Sequence, residues 1–146
     1  MKKKVIISAC ILGEYCRYDG KTKSIPTIIE KYKEYEIIPF CPEAPIFGTP
    51  RERINVVFKE GQNRIITDQG KLDVTQKLQE EIEQFIKKHP QPDAIVLKAK
   101  SPSCGYKTTP ILDENKNIIK YGNGLATQIF LQRYSKIQIE DENHEI

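Results

Sequence analysis

"DAIVLKA", residues 93–99, is an apolar run without polar alternation. A strand with one wet face alternates. An unbroken run is the pattern of a strand covered on both faces, as in parallel sheets packed between helices. Upstream, His89-Pro90 ends a stretch in which Val74, Leu78, Ile82, Phe85 and Ile86 recur at helical spacing, with Asp73 as a cap and Gln76 three residues on. Ile54–Phe58 and Arg64–Thr67 read as a hairpin around "KEGQN". Tyr35–Phe40 and Val5–Ala9 read as further strands, with a helix between them that starts at Ser24 and Pro26. A last helix is expected from Gly124 through Ala126, Ile129, Phe130 and Tyr134. Strands alternating with helices give an α/β fold, a mostly parallel β-sheet flanked by helices in a Rossmann-like three-layer arrangement. Residues 1–138 are expected to form one domain, and the acidic "IEDENHEI" (139–146) a frayed tail.

The bulk composition narrows the functional classes. A chain of 146 residues, 38% hydrophobic and 29% charged, supports one packed core. No apolar stretch approaches the ~20 residues that cross a bilayer. "MKKKVIISACILG" begins with basic residues and an apolar run, but no small-residue cleavage site follows, so it reads as a first core strand. The expected location is cytoplasmic, where thiols stay reduced and a cysteine serves a metal or catalysis more readily than a disulfide. A net charge of +3 suits an anionic or nucleotide-like ligand without demanding one. A dedicated nucleic-acid binder carries a stronger, more clustered basic bias.

Of the 4 cysteines, three follow predicted strands: Cys10 after the first, Cys41 after the second, Cys104 in "KSPSCG" after "AIVLKA". In parallel sheets ligands bind outside the carboxyl ends of the strands, so these positions can converge although far apart in sequence. Each is followed closely by a turn former (Gly13, Pro42, Gly105), in loops that poorly hide a side chain. The alternative is three small buried hydrophobes. Paired C-x₂-C zinc knuckles and redox motifs are absent, since five residues separate the nearest pair, Cys10 and Cys16. The only histidines, His89 and His144, fall at a helix end and in the tail, which argues against a Cys–His nucleophile. An iron–sulfur cluster, zinc and no metal all stay open on pattern alone.

"ISACILGEYCRYDGKTK" (7–23), "CPEAPIFGTPRERI" (41–54) and "LKAKSPSCG" (97–105) together resemble the thiouracil desulfidase family, formerly a domain of unknown function. The resemblance spans about the first 105 residues. It implies a small α/β domain holding a [4Fe-4S] cluster through three cysteines, here Cys10, Cys41 and Cys104. The fourth iron would take the sulfur of a thiolated pyrimidine such as 2-thiouracil, which becomes uracil and hydrosulfide without net redox change. Cys16 departs from relatives that carry an apolar residue before "RYDG", and is expected to be a non-ligand.

In that chemistry Glu43, two residues after Cys41, is the expected general base, against the alternative of a solvated loop carboxylate. Ser101 is expected to bond the substrate and Ser103 to shape the turn, with substrate contact as its second role. Arg17, Asp19 and Lys23 either hold the substrate edge or brace their loop; Arg51 poses the same choice. The expected partner is a small thiolated base, and the oligomeric state is not legible. A thiolated nucleotide within tRNA, or a non-enzymatic cysteine metal module, is the competing reading.

Overall fold

The computed structural model describes residues 3–12, 25–43, 52–99, 101–134 and 137–141. Its first sheet holds β1 (Lys4–Ser8), β2 (Glu36–Phe40), β5 (Ala94–Leu97) and β8 (Ile139–Asp141) in the order β2-β1-β5-β8. Every pairing in it is parallel, with Ile6 opposite Ile38 and Ile95. The apolar runs are buried on both faces as their composition requires: Val5, Ile6, Ile7, Ile95, Val96 and Leu97 are fully buried. Helix α1 (Pro26–Lys31) lies on the Val5/Ile7/Val96 face through Ile28 and Tyr32. On the other face, α2 (Thr75–Lys88) and α3 (Leu125–Arg133) pack Leu78, Ile82, Ala126 and Phe130 against Ile6, Ile95 and Leu97.

The expected single sheet is corrected. β3 (Ile54–Lys59), β4 (Gln62–Thr67), β6 (Thr109–Leu112) and β7 (Ile118–Gly122) form a second four-stranded sheet, ordered β4-β3-β6-β7. β3 and β4 are antiparallel, β3 and β6 parallel, β6 and β7 antiparallel. Ile54, Val56, Ile65 and Ile111 join the same core as α2 and α3. The 54–67 hairpin closes with Glu60 and Gly61, both at positive φ (53° and 80°), the two-residue turn whose twist matches its strands.

Three local expectations shift. Helix α1 starts at Pro26, with Ser24 outside the described residues. The N-cap of α2 is Val74, without a side-chain cap; Asp73 stands one residue earlier and accepts from Thr75 N–H at 3.0 Å, and Gln76 reaches forward to Glu80, so no capping box closes. The stretch read as a frayed tail supplies β8, whose Ile139, Glu140 and Asp141 are all buried. Glu140 tolerates this because Tyr32 Oη and Lys31 Nζ both donate to its carboxylate.

Strand order creates a crevice. The connection leaving β1 runs over the α1 face, whereas those leaving β2 and β5 use the α2/α3 face. Loops after neighbouring β1 and β5 therefore diverge, and a cleft opens at their carboxyl ends.

Candidate active site

A cavity of about 320 Å³ occupies that cleft and continues over the start of the second sheet. Cys10, Cys41 and Cys104 all line it, and so do Glu43, Ser101 and Ser103. Parallel pairing explains the meeting: β1, β2 and β5 are adjacent, and Cys10, Cys41 and Cys104 follow their ends by two, one and seven residues. The Ala9 N–H donates to the Phe40 carbonyl at 2.8 Å, carrying the β1–β2 ladder up to both cysteines.

The thiols are less open than turn-forming neighbours suggest. Cys10 is 9% exposed and Cys104 5%. The cover over Cys104 is the first turn of α3. Its N–H donors, unpaired within any helix, are accepted by the cysteine loop: Gly124 by Gly105 O (2.8 Å), Leu125 by Pro102 O (3.2 Å), Ala126 by Ser103 O (2.7 Å). Thr127 Oγ1 donates to the Cys104 carbonyl at 2.8 Å. Gly124 permits the approach, since a Cβ there would meet the Ser103 carbonyl carbon at 2.5 Å and the Cys104 nitrogen at 2.7 Å.

Ser101 takes the turn-shaping part expected of Ser103, its Oγ accepting from the N–H groups of Ser103 (3.2 Å) and Cys104 (3.0 Å). Ser103, 1% exposed, donates to Glu43 Oε2 at 2.6 Å. Glu43 is itself only 8% exposed, so it is no solvated loop carboxylate.

Burial raises the pKa of the Cys104 thiol, and the nearby Cys41 and Glu43 add to it; contacts from Ser103 and Ser8 oppose. Ser8 was not singled out in the sequence, nor were Lys98, Arg53, Asn55 and Thr109, which also line the cavity. Position was the available signal for Ser8 and Lys98, which sit at the carboxyl ends of β1 and β5. Cys16, Arg17, Asp19, Lys23, Arg51 and His144 lie outside the described residues. His89 closes α2 and its ring packs on Phe85, away from the cavity. Among the described residues no three His, Cys, Asp or Glu side chains converge closely enough to hold one metal ion. The three thiols border a volume instead of closing on a point. No helix among the described residues is long and apolar enough to cross a membrane.

Comparison with known proteins places the chain in a family. A family model for 2-thiouracil desulfurase matches residues 5–142. YbbK of Bacillus subtilis (strain 168), described as uncharacterized, is 31% identical over 110 residues, covering 69% of this chain and 72% of that protein. A solved structure described as the [4Fe-4S]-dependent thiouracil desulfidase TudS superposes with a TM-score of 0.71 at 29% identity, over 97% of this chain and 92% of that one. With matched residues reaching from the first strand past the last, and all three cysteine loops inside them, the chain belongs to the 2-thiouracil desulfurase family.

Proposed function

We propose that this chain is a [4Fe-4S]-dependent desulfidase. In this reading it converts a thiolated pyrimidine of the 2-thiouracil type to the oxo base and hydrosulfide without net redox change. The observation that carries the reading is the convergence of Cys10, Cys41 and Cys104 on one cavity beside a buried carboxylate, Glu43. The domain would run past residue 138 to take in β8 (Ile139–Asp141), its first sheet and helices forming the Rossmann-like part.

The donor set fits the cofactor. Three soft thiols suit iron–sulfur ligation, and they border a space larger than one ion needs. Burial together with Cys41 and Glu43 disfavours the Cys104 thiolate in the protein alone. Positive iron is the partner that reverses this preference. Held by Cys10, Cys41 and Cys104, the cluster supplies a Lewis-acidic iron with affinity for a thione sulfur. The protein's own groups supply the rest. Glu43 receives the proton of the attacking water, and Ser103 holds its carboxylate in place. Ser101 presents its hydroxyl on the cavity wall to a ring nitrogen or carbonyl. Arg17 and Asp19 are assigned to the substrate edge.

The test is protein prepared without oxygen. About four irons per chain with matching sulfide, a broad visible absorption, and release of hydrosulfide and uracil from 2-thiouracil are expected. Colourless protein containing zinc and releasing no sulfide would overturn the reading. Glu43→Ala is expected to keep its iron while turnover falls by about 10²-fold or more. Full-rate Glu43→Ala would remove the assigned base.

A further inference from the structure

The cavity has two kinds of wall. The loops that leave the first sheet bring the three thiols. β3 and β6, with the residue before β3, bring Arg53, Ile54, Asn55, Val56, Thr109 and Pro110, and no cysteine. Ile54, Val56 and Pro110 are apolar, as the faces of a flat ring require. Arg53 can only donate hydrogen bonds. Thr109 is 1% exposed and gives its proton to the Ser101 carbonyl at 2.7 Å. Asn55 differs from them all, because a carboxamide has a donor end and an acceptor end.

Asp68 decides how those two ends are turned. Asn55 Nδ2 donates to Asp68 Oδ1 at 3.0 Å, and Lys116 Nζ donates to the same oxygen at 3.0 Å. Lys116 and Asn55 hold the Asp68 carboxyl below its ordinary pKa, so at neutral pH it only accepts. An inverted amide would set Asn55 Oδ1 against that carboxylate. The amide is therefore locked with its nitrogen on Asp68 and its oxygen left over. Among the described residues no donor reaches that oxygen.

We propose that Asn55 is a specificity residue, whose Oδ1 accepts the N3–H of the thiolated pyrimidine and so selects uracil-type over cytosine-type rings. This rests on the desulfidase reading and narrows its substrate class. N3 is the ring nitrogen next to both C2 and C4, so it borders the reacting carbon in either thio isomer. A uracil-type ring carries a proton there. A cytosine-type ring carries a lone pair, which would face the amide oxygen as acceptor against acceptor. A fixed polar group discriminates most strongly when the wrong partner leaves it unpaired. Asp68 is the positioning residue, because it denies Asn55 the inverted orientation that would suit the cytosine-type ring.

The test compares hydrosulfide release from 2-thiouracil and 2-thiocytosine, rings of nearly equal shape, by the iron-loaded enzyme. The wild type is expected to prefer 2-thiouracil by about 10²-fold or more in kcat/KM. Asn55→Ala is expected to lose about 10- to 100-fold on 2-thiouracil while staying within about 2-fold on 2-thiocytosine, with iron per chain unchanged. Asp68→Asn gives residue 68 a donor, lets the Asn55 amide turn over, and is expected to cut the preference by about 5-fold or more. Equal use of the two bases by the wild type, or a preference that survives Asn55→Ala, would overturn the assignment. Where 2-thiocytosine is not turned over at all, competitive inhibition by uracil against cytosine reads the same ratio. Should Asn55→Ala fail to fold, Asp68→Asn decides, and an unchanged preference there overturns the assignment. Failure of the desulfidase reading looks different. In that case the wild type holds no iron and releases no hydrosulfide, whereas a failed Asn55 assignment leaves both intact.

Discussion

The hydroxyl of Thr127, in the first turn of α3, donates to the carbonyl of Cys104 at 2.8 Å, and neither residue sees solvent to any useful degree. A buried carbonyl has no water to turn to if this donor is lost. Thr127→Val keeps the shape and removes the donor. It is expected to cost ~1–3 kcal/mol, read as a fall in Tm of roughly 2–4 °C per kcal/mol. An unchanged Tm would show that the loop does not lean on the helix.

The cysteines separate by site. Cys10→Ser, Cys41→Ser and Cys104→Ser are each expected to lose iron when prepared without oxygen, because serine is a hard, weakly acidic ligand for a thiolate-seeking metal. Cys16→Ser is expected to retain it. Iron determination per chain distinguishes the two outcomes. A Cys16→Ser protein without iron would add a fourth sulfur to the site.

A chain shortened to end at residue 136 loses β8. Ile139 is 4% exposed, and a fully buried residue of its kind contributes ~1.5–3 kcal/mol. Tyr32 Oη, half of the pair that holds Glu140, loses its acceptor for ~1–3 kcal/mol more. Thermal melting is expected to fall by on the order of 10 °C, and a melt within a degree or two of the full chain would mean that β8 adds nothing.

Asp73 ties stability to acid. Burial alone would raise its pKa, but hydrogen bonds from Arg64 and Thr75 hold it down to about 2. A depressed carboxylate stabilises the fold in full above its ordinary value of about 4, and that contribution drains away as pH falls from there. It is gone once pH has dropped through about 2. Arg64 and Asp73 are 36% and 41% exposed, so screening limits their ion pair to ~0–1 kcal/mol, the hydrogen bond from Thr75 N–H adding ~1 kcal/mol. Asp73→Ala is expected to melt lower at neutral pH and to show a flatter Tm curve between about pH 4 and 2. Parallel curves for the two proteins would exclude the linkage.

The parallel sheet was legible because its strands advertise themselves. Residues 94–97 and 5–7 are apolar without interruption, and only double-sided burial makes such a run stable. The turn formers beside Cys10, Cys41 and Cys104 then fixed where those thiols lie relative to strand ends. Of the second sheet only the β3–β4 hairpin was legible. β6 is four residues containing Pro110, and β7 is exposed at nearly every position, so neither carries a period. β8 reads as tail because two of its three residues are acidic; Lys31 and Tyr32, more than a hundred positions away, make their burial possible. That Ser101 shapes the turn while Ser103 meets Glu43 was equally out of reach. Two serines one residue apart look alike until the backbone decides which hydroxyl meets an N–H and which a carboxylate.

Because the cover over Cys104 is built by Gly124 and the turn that follows it, a nascent chain that stops short of that glycine carries this thiol without its cover. Cys104 leaves the ribosome 20 residues ahead of the glycine that shields it.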